Sequence, residues 1–196
     1  MITLTAGEIA LLVGGELHCD KDLLVSKAPV FDSRKAVPGC IFLALQGEVV
    51  DGHDFAADAY RAGAMFSLTS KRIDGPCIVV EDVIDALSVL ATFVRKRLTN
   101  LTVIGITGSQ GKTSTKDLMS HMLAAVGPTV SPAGSFNNDL GLPITLLECD
   151  EKTRFCILEM GARHSGDIAR LCSIAAPNIG VVLTVGTAHI GEFGSR

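Results

Sequence analysis

No apolar run in this sequence approaches the roughly 18 to 20 residues needed to span a bilayer, and the acidic Glu8 stands where a signal peptide would want Lys or Arg. A cytoplasmic protein without a membrane span is the expectation. Positive charge is not in surplus either, since 17 Lys and Arg against 21 Asp and Glu leave a net charge of -4. With no general field to attract a polyanion, nucleic acid is not an expected partner, and any phosphate must be held by local groups. Cysteine pairs of the C-x-x-C form are also lacking. Cys19, Cys40, Cys77, Cys149, Cys156 and Cys172 are scattered, most of them inside apolar runs such as Cys40-Ile41-Phe42-Leu43, and read as small, reduced core residues.

What is present in quantity is apolar surface. Hydrophobic residues make up 47% and charged residues 19% of the chain, which excludes a disordered protein because so much apolar area can offset the entropy lost on folding. A length of 196 residues suits one or two cores, each of roughly 100 residues.

The first half reads as a small mixed α/β domain. Thr5-Ala6-Gly7-Glu8 has the form of a capping box ahead of Ile9, Leu11 and Leu12, with Gly14 as a stop. Short apolar runs at Pro29–Phe31, Cys40–Leu45, Met65–Leu68 and Cys77–Val80 predict strands, and Asp54–Arg61 predicts a helix ended by Gly63. From Asp82 to Leu98, Val83, Leu87, Leu90, Ala91 and Val94 recur at helical spacing, and Arg95, Lys96 and Arg97 lie at the carbonyl end that favours cations. A domain boundary is expected just after it, giving domains 1–98 and 99–196.

The second half alternates regularly: strand Leu101–Ile106, a glycine loop, helix Thr113–Ala125, helical turn Pro143–Glu148, strand Phe155–Glu159, helix Asp167–Ile174 and strand Ile179–Val185. Strand, crossover helix and strand predict a parallel sheet with helices on its faces, where sites form at the C-terminal ends of the strands.

The glycine loop is Gly108-Ser109-Gln110-Gly111-Lys112-Thr113-Ser114, running from an apolar strand directly into a helix. Glycines let backbone N–H groups face phosphates, the helix N-terminus adds positive potential, a lysine reaches the outer phosphates and a hydroxyl can ligate Mg²⁺. The general phosphate-loop pattern wants glycine five residues before Gly111, and Ile106 stands there instead. Two further groups fall where such a sheet gathers its site. Glu159 ends an apolar strand, the usual place for an acid that holds Mg²⁺ directly or through water; a solvated strand-end carboxylate is the alternative. His189, after the next strand, could reach the same metal or phosphate, or be structural. The stretch Phe136-Asn137-Asn138-Asp139-Leu140-Gly141-Leu142-Pro143 offers amide donors just ahead of the proline, or an Asx turn that caps the following helix.

The shortened loop, the Glu159 strand end and the His189 turn together resemble the Mur ligases, relatives of folylpolyglutamate synthase, whose loops have the G-T/S-x-G-K-T/S form. Phe136-Asn-Asn-Asp-Leu-Gly-Leu-Pro143, Glu159-Met-Gly-Ala-Arg163 and Gly186-Thr-Ala-His-Ile-Gly191 are similar to the branch that adds D-alanyl-D-alanine. In the first half, Asp32-Ser33-Arg34, Pro38-Gly39 through Gln46-Gly47 and Asp51-Gly52-His53 are similar to the nucleotide-sugar domain of these ligases.

The resemblance implies a monomeric, ATP- and Mg²⁺-dependent ligase. It would phosphorylate the terminal carboxylate of UDP-N-acetylmuramoyl-tripeptide and pass the acyl group to the amine of D-alanyl-D-alanine. It further implies that residues 1–98 bind the UDP-muramoyl peptide and residues 99–196 begin a phosphate-loop ATPase domain. Gly108 to Ser114 would hold ATP, with Lys112 and His189 catalytic and Thr113, Glu159 and His189 at the metal. Ser33, Arg34, Gln46 and Gly47 would lie near the uridine diphosphate, and Asn138 near the substrate or phosphates. Family members continue into a third domain, which holds most of the D-alanyl-D-alanine site, and carry a lysine beyond the His turn; this chain is therefore expected to be an incomplete enzyme with little activity of its own. A non-catalytic nucleotide-sugar-binding module and the sister ligase that adds the third peptide residue remain the alternatives.

Overall fold

The computed structural model describes residues 1–132, 134 and 136–186. Two compact units divide the chain, the first ending at Leu90 and the second beginning at Ala91, so that the division falls within a helix rather than after it.

In the first unit, β1 (Leu4–Thr5) leads into α1 (Ala6–Val13). The capping box forms: Thr5 Oγ1 accepts from the Glu8 amide at 3.1 Å, while the Glu8 carboxylate accepts from the Thr5 amide at 2.8 Å. Gly14 ends the helix at φ 64, a left-handed conformation that costs glycine little. There follow β2 (Glu16–His18), β3 (Leu24–Val25), β4 (Ile41–Leu43), α2 (Ala56–Ala62), β5 (Phe66–Thr69) and β6 (Cys77–Val79). Strands β4, β5 and β6 are parallel, β2 joins β6 antiparallel, and the order is β2-β6-β5-β4. Phe42, Cys40, Ala44, Ala56, Ala59 and Ala64 form a core cluster between β4 and α2, with Tyr60 packed against it.

The run at Pro29–Phe31 does not become a strand. Only Val30 makes a bridge, parallel to Phe42, because the chain turns immediately afterwards into a short 3-10 segment, Ser33–Lys35, capped by Asp32. Helix α3 (Val83–Arg97) begins where Asp82 Oδ1 accepts the amides of Ile84 and Asp85. Of the cysteines, Cys40, Cys77, Cys149 and Cys156 are buried, whereas Cys19 and Cys172 are half-exposed; all are free thiols.

In the second unit, β7 (Thr102–Thr107), α4 (Lys112–Ala124), β8 (Thr129–Val130), α5 (Gly141–Leu147), β9 (Phe155–Glu159), α6 (Asp167–Ala175) and β10 (Ile179–Val182) build a wholly parallel sheet in the order β10-β7-β9-β8. Ile104, Ile106 and Ile157 form its core, with Met119 and Leu123 of α4 and Val181 and Leu183 packed against them. Because β7, β9 and β10 are parallel neighbours, their C-terminal ends lie side by side. Among the described residues no helix is long and apolar enough to cross a membrane.

Candidate functional site

Strand β7 opens into the glycine loop, and two of its glycines take conformations that other residues avoid. Gly111 is left-handed at φ 84 and immediately precedes α4, which receives no side-chain cap there. The first-turn amides therefore face outward with the positive end of the helix dipole, the arrangement that receives anions. Gly108 has φ 143, and a Cβ there would lie 2.8 Å from the Cβ of Leu183. That closeness reflects a second tie. The Ser109 amide donates to Thr184 O at 2.8 Å, and the Ser109 hydroxyl accepts from the Gly186 amide at 2.8 Å. Ser109 thus clasps the segment that follows β10.

A cavity of about 330 Å³ is lined by Ser109, Gln110, Gly111, Lys112, Thr113, Ser114, Asn137 and Glu159. The structure gathers most of the predicted loop residues around one space. Lys112 curls back so that its ammonium donates to Gly108 O at 2.6 Å. Thr113 Oγ1 donates to Glu159 Oε2 at 3.3 Å, which is possible because Glu159 pairs in register with Ile106, near the loop. Glu159 is 1% exposed, and its Oε1 has no hydrogen-bond partner among the described residues. A buried carboxylate oxygen without a donor is costly; the carboxylate that bears it lines a polar cavity beside the Thr113 hydroxyl, and carboxylate oxygens are the hard donors that a cation such as Mg²⁺ takes. His189 lies outside the described residues.

Asn138 does not line the cavity. Its Oδ1 accepts from the Gly141 amide at 2.9 Å and so caps the start of α5, the Asx-type role. Asn137 takes the cavity position instead. Its carbonyl accepts from the Gly161 amide at 2.9 Å, and a Cβ on Gly161 would come within 3.0 Å of its side chain. Two adjacent asparagines give sequence reasoning no basis for choosing between them.

The sequence reading also missed Lys116. It is 2% exposed, and its ammonium donates to Pro132 O at 2.7 Å and lies 3.9 Å from Glu159 Oε1. A signal existed: Lys116, Met119 and Leu123 fall at i, i+3 and i+7, so the lysine shares the helix face that packs on the sheet.

The remaining predicted positions belong to the first unit. The parallel bridge of Val30 and Phe42 sends the segments bearing Ser33-Arg34 and Gln46-Gly47 off the same end of the sheet. Ser33 is nearly buried, while Arg34 is exposed and forms a two-point ion pair with Asp32 at 2.8 Å. The Arg34 guanidinium holds the Asp32 carboxyl down at about 2. Gln46 bridges Asp51, and the Gly47 amide donates to Val50 O at 3.0 Å, making a small exposed hairpin. Its base is anchored by buried His53, whose Nδ1 meets Asp51 Oδ1 at 2.5 Å and whose Nε2 accepts from the Ser70 amide. Lys71, 2.7 Å away, and then His53 keep the Asp51 carboxyl well below the usual carboxylate range.

Comparison with known proteins fits this geometry. Residues 106–196 match the Mur ligase middle domain, and residues 30–95 match the model described as Mur ligase family, catalytic domain. The chain is 48% identical to the UDP-N-acetylmuramoyl-tripeptide–D-alanyl-D-alanine ligase of Mycobacterium tuberculosis (strain ATCC 25618 / H37Rv), and 39% identical to the ligase of the same name from Escherichia coli (strain K12). All of this chain is covered in both comparisons, but only 44% and 43% of the two relatives; the chain thus spans less than half their length. Among solved structures, MurF from Acinetobacter baumannii superposes with a TM-score of 0.88 at 36% identity, covering 99% of this chain and 44% of that one. The MurF ligase of Thermotoga maritima in complex with ADP gives 0.75 at 36% identity, over 87% and 40%. With both halves matched by the family's domain models and the whole length aligned to its ligases, the chain belongs to the Mur ligase family.

Proposed function

We propose that this chain forms the substrate- and nucleotide-binding part of a cytoplasmic ligase that joins D-alanyl-D-alanine to UDP-N-acetylmuramoyl-tripeptide. The observation that carries the proposal is the buried Glu159 carboxylate, with one oxygen bonded to Thr113 and the other unpartnered, facing a polar cavity at an uncapped helix N-terminus. The ADP complex of the Thermotoga relative and the ligase names of the curated relatives support it. Residues 1–98 would bind the UDP-muramoyl peptide, through Ser33, Arg34, Gln46 and Gly47, and residues 99–196 would bind ATP.

The loop amides and the dipole of α4 hold the nucleotide phosphates, and Lys112 releases Gly108 O to reach the outer ones. Thr113 and Glu159 fit Mg²⁺, which prefers hard oxygens and is commonly held by one or two carboxylates plus phosphates. When bound, Mg²⁺ would supply neutralisation of the phosphate charge. Lys112 and the amides stabilise the charge on the transferring γ-phosphoryl group as it leaves ADP for the substrate carboxylate. The resulting acyl phosphate loses phosphate when the D-alanyl-D-alanine amine attacks its acyl carbon. Asn137, rather than Asn138, lines the cavity where these groups would meet.

Calorimetry of the chain with ADP and Mg²⁺, and separately with UDP-N-acetylmuramoyl-tripeptide, tests the proposal. Binding of both is expected, with the ADP affinity lost in Lys112→Ala. Tripeptide binding with no ADP binding would favour a nucleotide-sugar-binding module instead.

A further inference from the structure

Lys116 has no part in the scheme above, yet it is among the largest fully buried side chains of the protein. Its ammonium is held on several sides. It donates to Pro132 O at 2.7 Å and to Gly134 O at 3.4 Å, and pairs with Asp117 Oδ1 at 2.9 Å. These partners keep it 3.9 Å from Glu159 Oε1, close enough to offset the charge and too far for a hydrogen bond. Glu159 Oε1 is therefore electrostatically compensated while it accepts no hydrogen bond among the described residues.

We propose that Lys116 is the standing counter-cation of Glu159 and makes the cavity reject a free divalent cation, admitting it only together with a nucleotide. This rests on the nucleotide-binding reading of the same cavity. The balance of charges gives the reason. Lys112 lines the cavity, Lys116 lies behind it and the α4 N-terminus points into it, so among the described residues that line the cavity Glu159 is the one carboxylate opposing three sources of positive potential. Asp117, the other carboxylate on Lys116, has a side chain 61% exposed, so solvent screens most of its field. A lone divalent cation meets net repulsion. Nucleotide phosphates reverse the sign of the site, and the Glu159 carboxylate that lines it then becomes an available ligand. A purely structural Lys116, tying α4 to Pro132 and Gly134, would leave the order of binding unaffected.

The test uses Mn²⁺ as the probe, followed by electron paramagnetic resonance on the chain with Mn²⁺ alone and with Mn²⁺ plus ADP. The unmodified chain is expected to bind Mn²⁺ at least tenfold more tightly with ADP than without. Lys116→Met should tighten binding of Mn²⁺ alone at least tenfold, and adding Glu159→Gln should remove that gain; Lys116→Arg, which keeps the charge, should behave as the unmodified chain. Tight binding of Mn²⁺ alone to the unmodified chain, lost in Glu159→Gln while ADP still binds, would overturn the inference and leave the nucleotide site standing. Unchanged Mn²⁺ affinity in a folded Lys116→Met would overturn it too. If Lys116→Met does not fold, Lys116→Gln, which removes the charge and keeps a donor for Pro132 O, is read in its place with the same expected gain in affinity for Mn²⁺ alone. Failure of ADP to bind at any Mn²⁺ concentration would instead overturn the nucleotide reading, and this inference with it.

Discussion

Replacing Gly108 by alanine probes the glycine loop through two terms that the structure separates. The first is backbone strain: at φ 143 a residue with a Cβ sits in a sparsely populated region, at about 1–3 kcal/mol. The second is collision. The new Cβ would lie 2.8 Å from Leu183 Cβ and 3.3 Å from both the backbone N and Cα of Leu183. None of these atoms can swing aside without moving the segment after β10, which is tied to the loop by Ser109 and to Thr107 O by the Leu183 amide. Overpacking of that kind costs about 1–3 kcal/mol, so the sum is about 2–6 kcal/mol.

Gly166→Ala is the natural control. Its φ is 98, and nothing lies within 4 Å of the position a Cβ would take, so only the strain applies, about 1–3 kcal/mol. Urea unfolding of the two variants should show Gly108→Ala the less stable by about 1–3 kcal/mol, the overpacking contribution alone. ADP affinity should fall at least tenfold in Gly108→Ala and stay unchanged in Gly166→Ala. Equal stabilities would refute the reasoning, since they would mean that the segment beyond β10 yields to the loop rather than bracing it.

Thr5→Ala removes the hydroxyl that caps α1 and should cost about 1 kcal/mol, read as a lower urea midpoint with an unchanged slope. Ala176, left-handed at φ 40 where α6 ends, should become more favourable as glycine, by about 1 kcal/mol; a destabilised Ala176→Gly in thermal melts would contradict this. Asp32 is lowered from 3.8 to about 2 chiefly by its hydrogen bonds from Arg34. Its contribution to stability is thus complete above pH 3.8 and lost as pH falls through about 2. Carboxyl NMR should show that low midpoint, and Arg34→Ala should return it towards the ordinary value; a midpoint indifferent to Arg34→Ala would dismiss the ion pair.

Much of the protein was legible because the governing interactions are local. The capping box at Thr5 and Glu8, the glycine stops at Gly14 and Gly63, and the strand-loop-helix at Gly108 to Thr113 each depend on residues within one turn of one another, so their chemistry can be read in order along the chain. The parallel sheet of the second unit followed from the alternation of strands and helices, since parallel neighbours need a crossover. Pro29–Phe31 misled because its partner was not local: an apolar triplet becomes a strand only if the chain runs on beside a neighbour, and Asp32 turns it after one bridge.

The sequence by itself determined that a phosphate-holding loop opens a helix here and that an acid ends a nearby strand. Only the tertiary structure decided which of two adjacent asparagines looks into the cavity, because the capping bond of Asn138 to Gly141 fixes the turn that aims Asn137 inward. It alone brought Lys116 up behind Glu159 and left one buried carboxylate oxygen without a hydrogen bond among the described residues. The reason is distance: residues 116 and 159 meet through the pairing of β7 with β9 and the packing of α4 on that sheet, and charge separated so far along the chain acquires meaning only when the fold removes the water between.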